Sequence, residues 1–499
     1  MHTKPLTPRL RNWFTLFWVG WGGLLLGANV FAQEAPDTMW TRSFEFDSYV
    51  NARSAEILPD GRIFISGDCG DSRIGQGMFL LELDSLGNYV NIHVYGDDAL
   101  EVYGGYLSKS SDGGFVLGGT LNRSSNQDAR ILKLDSEGNI VWERDYVRNS
   151  IQYIESIIAL PDGSIVAGGW MRQTPRDLFY WMKVDGQTGD TLWTRSFADI
   201  DAGPDGIVDI AVDNDGSLLL LGSAQYDPDS ANYWDVLLLK STLDGNVVYA
   251  RTYDHTGYDR GFSIAQLTGN EFVIGGGSIR QDANPAYWQS YHIGINSNGD
   301  TLWTQTNDYG SHTYCMTRDV LPASNGGYYS IGTTGFQGDG ERIRVCRNSS
   351  LGEDEWIGHY TYTWQTSANL AVASNAQGSV LVAYQQLLGL LNVMITGPDP
   401  MLDTGRQPDL VPSRTNLDIQ VFPNPFNSTL TLSLETPPHS NVTVALYDLL
   451  GREIDIIHRG RLESPTISYT APASLSSGVY FVRASTGVQA SLAKVVLLR

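Results

Sequence analysis

The sequence predicts an all-β protein, a seven-bladed β-propeller followed by an immunoglobulin-like β-sandwich. Three observations predict it. A strand–turn–strand pattern built on a tight Gly turn recurs seven times between residues 37 and 396. A second strand pair, ending on an aromatic residue in most copies, follows six of those seven. Beyond residue 417 the turn chemistry changes, and short alternating strands run to residue 499. With 53 Gly, 13 Trp and 25 Tyr, the composition suits many turns and many strands.

The first pattern appears as Leu58-Pro-Asp-Gly-Arg-Ile-Phe-Ile-Ser-Gly67 and returns as Leu160-Pro-Asp-Gly-Ser-Ile-Val-Ala-Gly-Gly169. Its turns begin at 60, 112, 162, 215, 269, 325 and 377, a period of 50 to 56 residues. Asp-Gly and Asn-Gly supply the positive φ angles of tight hairpins. The second pattern is clearest in Leu134-Asp-Ser-Glu-Gly-Asn-Ile-Val-Trp142 and Ile295-Asn-Ser-Asn-Gly-Asp-Thr-Leu-Trp303. Tyr249 and Trp356 hold the aromatic place in weaker copies, and Asn91 replaces it in the first. Each unit therefore carries four strands, a to d, with period-two alternation. A four-stranded sheet cannot bury both faces alone, and radial stacking covers each sheet with its neighbour.

The ends of the ring follow from one match. Asp37-Thr-Met-Trp-Thr-Arg-Ser-Phe44 repeats Asp190-Thr-Leu-Trp-Thr-Arg-Ser-Phe197 at seven of eight positions, and the later segment is a strand d. The seventh unit, about 368 to 396, has strands a, b and c and then enters Gly397-Pro-Asp-Pro400. Residues 38–45 are expected to complete the seventh blade, closing a propeller over 33–396 and leaving no open edge. The Val184–Trp193 segment resembles the tryptophan-docking motif of the pyrroloquinoline-quinone dehydrogenases. Gly pairs that end strand b, such as Gly118-Gly119 and Gly168-Gly169, resemble kelch repeats. Both resemblances cover the scaffold of a blade and imply a Trp packed between blades. They carry over no cofactor and no catalytic residue.

Residues 397–416, rich in Pro, Gly, Asp and Arg, read as a linker. After it come Val421-Phe-Pro-Asn-Pro-Phe-Asn427, Val442-Thr-Val-Ala-Leu-Tyr-Asp-Leu-Leu-Gly-Arg-Glu453, Leu475-Ser-Ser-Gly-Val-Tyr-Phe-Val-Arg483 and Ala493-Lys-Val-Val-Leu-Leu-Arg499. Their alternation predicts a seven-strand sandwich. In this order, these stretches resemble the type A C-terminal sorting domain of the type IX (Por) secretion system, over 417–499. The resemblance implies the type IX machinery as a partner. It also implies passage through the periplasm and across the outer membrane, and secretion or attachment at the cell surface.

Such a route needs a signal at the other end. Residues 1–32 read as a signal peptide: Lys4, Arg9 and Arg11 precede the uncharged apolar stretch Trp13–Ala28, and Val30-Phe31-Ala32 offers a cleavage site. No later segment is apolar enough to span a bilayer. The formal charge of -22 repels nucleic acid and anionic membrane, which sets both aside as partners. The spacing of Cys69, Cys315 and Cys346 suits neither a zinc site nor a disulfide framework and reads as buried thiols.

The motifs of catalysis are missing: no His-x-x-x-His pair, no Gly-x-Ser-x-Gly elbow, no phosphate-binding loop. The b–c loops are longer and more variable than the a–b and c–d turns. They carry Trp170, Tyr233, Trp234, Tyr287 and Trp288, aromatic candidates for a ligand platform that can also serve as blade packing. Asp201, Asp205 and Asp209 sit at calcium-loop spacing on a d–a connection and are the candidate metal ligands, with Gly203 in place of one oxygen donor. No other cofactor is expected. The expected function is non-enzymatic binding or adhesion outside the cell, toward a glycan or a protein ligand. The other reading is a secreted hydrolase or lyase acting on polysaccharide.

Overall fold

The computed structural model describes residues 35–498, apart from 97–99, 124–125, 149, 174–175, 199–202, 226–233, 256–257, 281–285, 309–313, 337–339, 364–369, 388, 403–417, 436–440, 448–452, 462–463, 465, 473–474 and 486–489. The expected signal peptide and most of the expected linker lie outside the described residues. The chain divides into two compact units, Met1–Leu402 and Asp403–Arg499.

The first unit is a seven-bladed propeller of four-stranded antiparallel blades, named here by blade number and strand letter. Blade 1 holds 1a Tyr49–Ile57, 1b Ile63–Asp71, 1c Gly75–Leu83 and 1d Tyr89–Tyr95. Blade 2 holds 2a Glu101–Lys109, 2b Phe115–Arg123, 2c Asn126–Leu134 and 2d Ile140–Tyr146. Blade 3 holds 3a Gln152–Ala159, 3b Ile165–Gln173, 3c Arg176–Val184 and 3d Thr191–Phe197. Blade 4 holds 4a Gly203–Val212, 4b Leu218–Gln225, 4c Trp234–Ser241 and 4d Val247–Tyr253. Blade 5 holds 5a Asp259–Gln266, 5b Glu271–Arg280, 5c Tyr287–Asn296 and 5d Thr301–Asn307. Blade 6 holds 6a Tyr314–Pro322, 6b Tyr328–Phe336, 6c Gly340–Asn348 and 6d Asp354–Thr363. Blade 7 takes 7a Leu370–Ser374, 7b Val380–Leu387 and 7c Leu390–Thr396 from the end of the ring and 7d Thr38–Glu45 from its start. Strand 7d pairs antiparallel with 7c, from Thr38 opposite Thr396 to Glu45 opposite Leu390.

Burial follows the alternation of each strand and collects between blades. Seven apolar clusters fill the seven interfaces of the ring, including one that joins Val50, Ile65 and Phe79 of blade 1 to Leu381, Val393 and Trp40 of blade 7. The strand-d aromatic of one blade lies on the c–d turn of the next. Trp142 Nε1 donates to the Gly186 carbonyl at 3.0 Å and Trp193 Nε1 to that of Leu243 at 3.1 Å. The turn must present a glycine to the ring: a Cβ on Gly87 would fall 2.6 Å from Trp40, the aromatic of strand 7d. Blade 6 differs because its Trp356 donates to Asp399 Oδ1 at 3.0 Å. Asp399 follows blade 7 and also accepts from Tyr329 Oη at 2.5 Å and Arg347 Nε at 3.1 Å, locking the exit segment to blade 6.

Two sets of β-bulges shape the blades. In every strand d the residue before the docking position is an extra, unpaired one: Met39, Val90, Val141, Leu192, Val248, Leu302 and Glu355. Strand d is the outer edge, and the bulge breaks the flat ladder that another chain could extend. A second bulge lies in strand a of blades 1 to 6, at Arg53, Gly105, Glu155, Val208, Phe262 and Arg318. It explains the glycine that recurs in strand b. A Cβ on Gly67 would stand 1.8 Å from the Asn51 carbonyl oxygen, and one on Gly332 would stand 1.9 Å from that of Met316. Blade 7 has Ala383 opposite Ala371 in an unbroken register, so it lacks both the glycine and the bulge.

The second unit is a seven-strand sandwich of two sheets. One sheet has the order Asp418–Phe422, Thr429–Glu435, Thr466–Thr470, and the other Glu453–Arg461, Asn441–Tyr447, Gly478–Ser485, Ala490–Leu497. The inner faces of the two sheets share one core. Leu430, Leu432 and Leu434 meet Val444, Leu446, Val482 and Val495 in its core. Asn424 explains the Pro-Asn-Pro-Phe motif. Its Nδ2 donates to the Lys494 carbonyl at 2.8 Å and its Oδ1 accepts from the Val496 N–H at 2.9 Å, clamping the last strand.

Candidate functional site

The inner strands of all seven blades border a central cavity of about 1000 Å³. The strand-a bulges decide what faces it. An extra residue on one side of a ladder re-aims its own side chain and its neighbour's. The bulge residues Arg53, Glu155, Val208, Phe262 and Arg318 all line the cavity, and so do Tyr106, Asp209, Ser263 and Asp319, each one position later. Trp170, Arg172, Asp177 and Arg260 also line it, together with Glu56 and Gln266.

Arginines stack on rings around this space. The Arg318 Cζ lies 4.6 Å from the Phe262 ring centroid, and its Nη2 donates to Tyr314 Oη. Arg260 lies 4.7 Å from Trp234 and 5.8 Å from Tyr258. Arg172 lies 5.4 Å from Trp170, whose other stacking partner is Tyr153 at 4.4 Å. Arg53 lies 5.8 Å from Tyr106. Asp68 pairs with Arg53 at 3.2 Å and Asp177 with Arg172 at 3.0 Å.

The sequence candidates fall at several places. Trp170 lies on strand 3b and borders the cavity. Trp234 opens strand 4c, and Trp288 is the second residue of 5c. The two belong to one cluster, because Tyr258 meets Trp288 edge-on at 5.1 Å and shares Arg260 with Trp234. Tyr287 is buried, and its hydroxyl donates to Asp308 Oδ2 at 3.0 Å. Tyr233 and Asp201 lie outside the described residues, and so does the side chain of Asp205. Asp209 is on strand 4a, where its Oδ1 accepts the Ile210 N–H and its Oδ2 accepts the Ile264 N–H of blade 5, both at 2.8 Å. Sequence reasoning missed Arg53, Arg172, Arg260, Arg318, Tyr153 and Phe262. The strand-b glycine was the available signal, since it marks the bulge on the opposite strand.

Among the described residues, Asp235, Asp254 and Asp259 bring carboxylate oxygens within 4.8 Å of one another, a donor set of the kind a hard cation takes. Burial pushes Asp235 up to about 6, and the charges of Asp254 and Asp259 add to the shift. Elsewhere His292 is enclosed between blades 5 and 6, with Nε2 at 2.8 Å from Thr317 Oγ1 and Nδ1 at 2.9 Å from Tyr328 Oη. Burial first, and then Arg344, push it down to about 3, so it packs as a neutral ring.

The carboxylates of the inner ring are linked across blades. Ser263 of blade 5 donates to Asp319 Oδ1 of blade 6 at 2.7 Å. Burial, followed by the charge of Asp209, pushes Asp319 up to about 7. An unfolded aspartate titrates near ~3.9. Between about pH 4 and 7 the folded protein therefore holds a proton that the unfolded chain has released, and stability falls as pH rises through that window. Asp319→Asn is expected to flatten this slope and to raise stability at pH 7 by on the order of a few kcal/mol. Melting curves at several pH values check this, and an unchanged slope refutes it.

Comparison with known proteins adds a family for one unit. Residues 420–498 match the family described as the secretion system C-terminal sorting domain. No curated protein matches the chain. Among solved structures, the quinohemoprotein alcohol dehydrogenase of Comamonas testosteroni is similar at 10% identity and a TM-score of 0.40, covering 81% of each chain. An ulvan lyase of a polysaccharide lyase family is similar at 12% identity and a TM-score of 0.46, covering 71% of this chain and 96% of that one. A protein of unknown function from Dyadobacter fermentans is similar at 7% identity and a TM-score of 0.41, covering 72% of this chain and 99% of that one. No helix among the described residues is long and apolar enough to cross a membrane. The C-terminal unit is a type IX sorting domain, and it marks the propeller as cargo for the cell surface or the medium.

Proposed function

We propose that the exported propeller is a non-enzymatic binding or adhesion module that takes a glycan at its central cavity and the adjoining rim. One observation carries this reading: Trp170, stacked on Tyr153, borders a cavity of about 1000 Å³, and Arg260 of the same wall stacks on Trp234 and on Tyr258, which meets Trp288. A sugar ring lays its C–H face on an indole, burying apolar area worth roughly 25 cal/mol per Å². Single stacks are weak, so the reading requires several rings acting on one chain of sugars. Trp170, Trp234 and Trp288 are each half-buried, which leaves them surface to offer.

The other reading, a polysaccharide hydrolase or lyase, is favoured by Asp319, an inner-ring carboxylate shifted toward neutral pH. Both readings meet in one experiment. The purified protein is titrated with a panel of polysaccharides, and the same mixtures are assayed for reducing and unsaturated ends. Binding without release is expected, with Trp170→Ala weakening it at least tenfold and leaving the melting temperature within a few degrees. Release of either kind of end decides for the enzyme, and absence of binding to every polysaccharide removes the glycan reading.

A further inference from the structure

We propose that the ligand carries an oxyanion, a carboxylate or a sulfate ester, and that Arg318 receives it beside the axis of the propeller. The inference rests on the glycan reading and names the chemistry of that ligand. The starting observation is the kind of cation present. The chain carries a formal -22, and the cations that line its central cavity, set among Glu56, Glu155, Asp177, Asp209 and Asp319, are all arginines, Arg53, Arg172, Arg260 and Arg318, with no lysine among the described residues. Arginine in place of lysine matters for geometry, because the planar guanidinium offers two parallel N–H groups that match a carboxylate or sulfate.

The aromatic partners leave those groups in place to act. A ring under the guanidinium face fixes its plane and uses none of its edge donors. Arg53 and Arg172 spend donors on Asp68 and Asp177. Arg318 has no carboxylate partner among the described residues. It donates to the Tyr314 hydroxyl, and its Nε is enclosed without a hydrogen bond. The nearest acid in sequence, Asp319, is turned away to Ser263 Oγ at 2.7 Å and the Val320 N–H at 2.8 Å. A partly enclosed cation with donors to spare is completed by an anion that arrives with the ligand. Its place supports the same role, because the bulge in strand 6a puts Arg318 on the cavity wall.

The test uses the full-length exported protein and three groups of probes: neutral glucans including dextran, the uronates polygalacturonate and alginate, and the sulfated polymers carrageenan and dextran sulfate. At least one acidic probe is expected to bind ten times more tightly than any neutral one, with affinity that falls as salt rises. A preference confined to the uronates assigns the carboxylate, and one confined to the sulfated polymers assigns the ester. Arg318→Lys, which keeps the charge and loses the fork, is expected to lose at least tenfold on that probe and to keep its melting temperature. Arg318→Ala is expected to lose more. Equal affinity for neutral and acidic probes, or unchanged affinity in Arg318→Lys, overturns the inference and leaves the glycan reading standing. Binding to no probe overturns both.

Discussion

A chain ending at Leu402 is expected to fold and to remain inside the cell envelope, with essentially none of it reaching the surface or the medium. The propeller and the sandwich are separate compact units, and the division falls after Leu402. The propeller keeps all seven of its inter-blade cores without the second unit. The sorting family match lies wholly within the part removed. Fractionation of periplasm, outer surface and medium checks the outcome, and the melting temperature of the retained chain checks its folding. Truncated protein found outside intact cells contradicts the assignment of the second unit as the export tag.

Deleting residues 38–45 is expected to cost the propeller roughly 5 kcal/mol or more, a large share of the stability of an ordinary domain. The strand supplies the edge of blade 7, with seven residue pairs to 7c. It also brings Trp40 and Phe44 to the cluster between blades 7 and 1. Loss of one fully buried large aromatic costs roughly 3–5 kcal/mol. Both rings are half-exposed, which lowers the figure for each, while the bared edge of 7c and the uncovered Gly87 turn raise the total. The expected fall in melting temperature is about 10 °C. An unchanged melting temperature shows that the ring holds without this strand.

The residues that made the fold legible are those with no alternative. Gly87 must be glycine because Trp40 lies where its Cβ would be, so turn and aromatic recur together at a fixed distance. The match between residues 37–44 and 190–197 is visible because both segments solve the same packing problem on a following turn. The site was harder to see. A bulge adds one residue to a strand and shifts the alternation, so Arg318 and Phe262 read as ordinary strand residues. Only the glycine on the partner strand records the event. Trp170 reads as a loop residue because it follows Gly168-Gly169, and the close approach of 3a and 3b permits the strand to continue through it. Asp399 reads as part of a linker, and three side chains from blade 6 converge on it from far back in the chain.

Joining the two ends of the ring in one blade also sets an order in time. Ser43 and Asn392, bonded across that join, lie 349 residues apart. The earlier strand has no partner until nearly the whole ring has followed it. Through that interval 7d is an unpaired edge strand with two aromatic side chains, and the 7c edge of any other chain offers it the same register. Exchange of 7d between molecules can repeat its pairing with 7c, but it must re-route residues 46–48, whose Phe46 N–H is bonded to the Gly389 carbonyl, so closure within one molecule has the advantage of that short connection. A swapped pair is therefore expected only at high concentration during folding, and the ring that has closed on itself is expected to stay single on dilution.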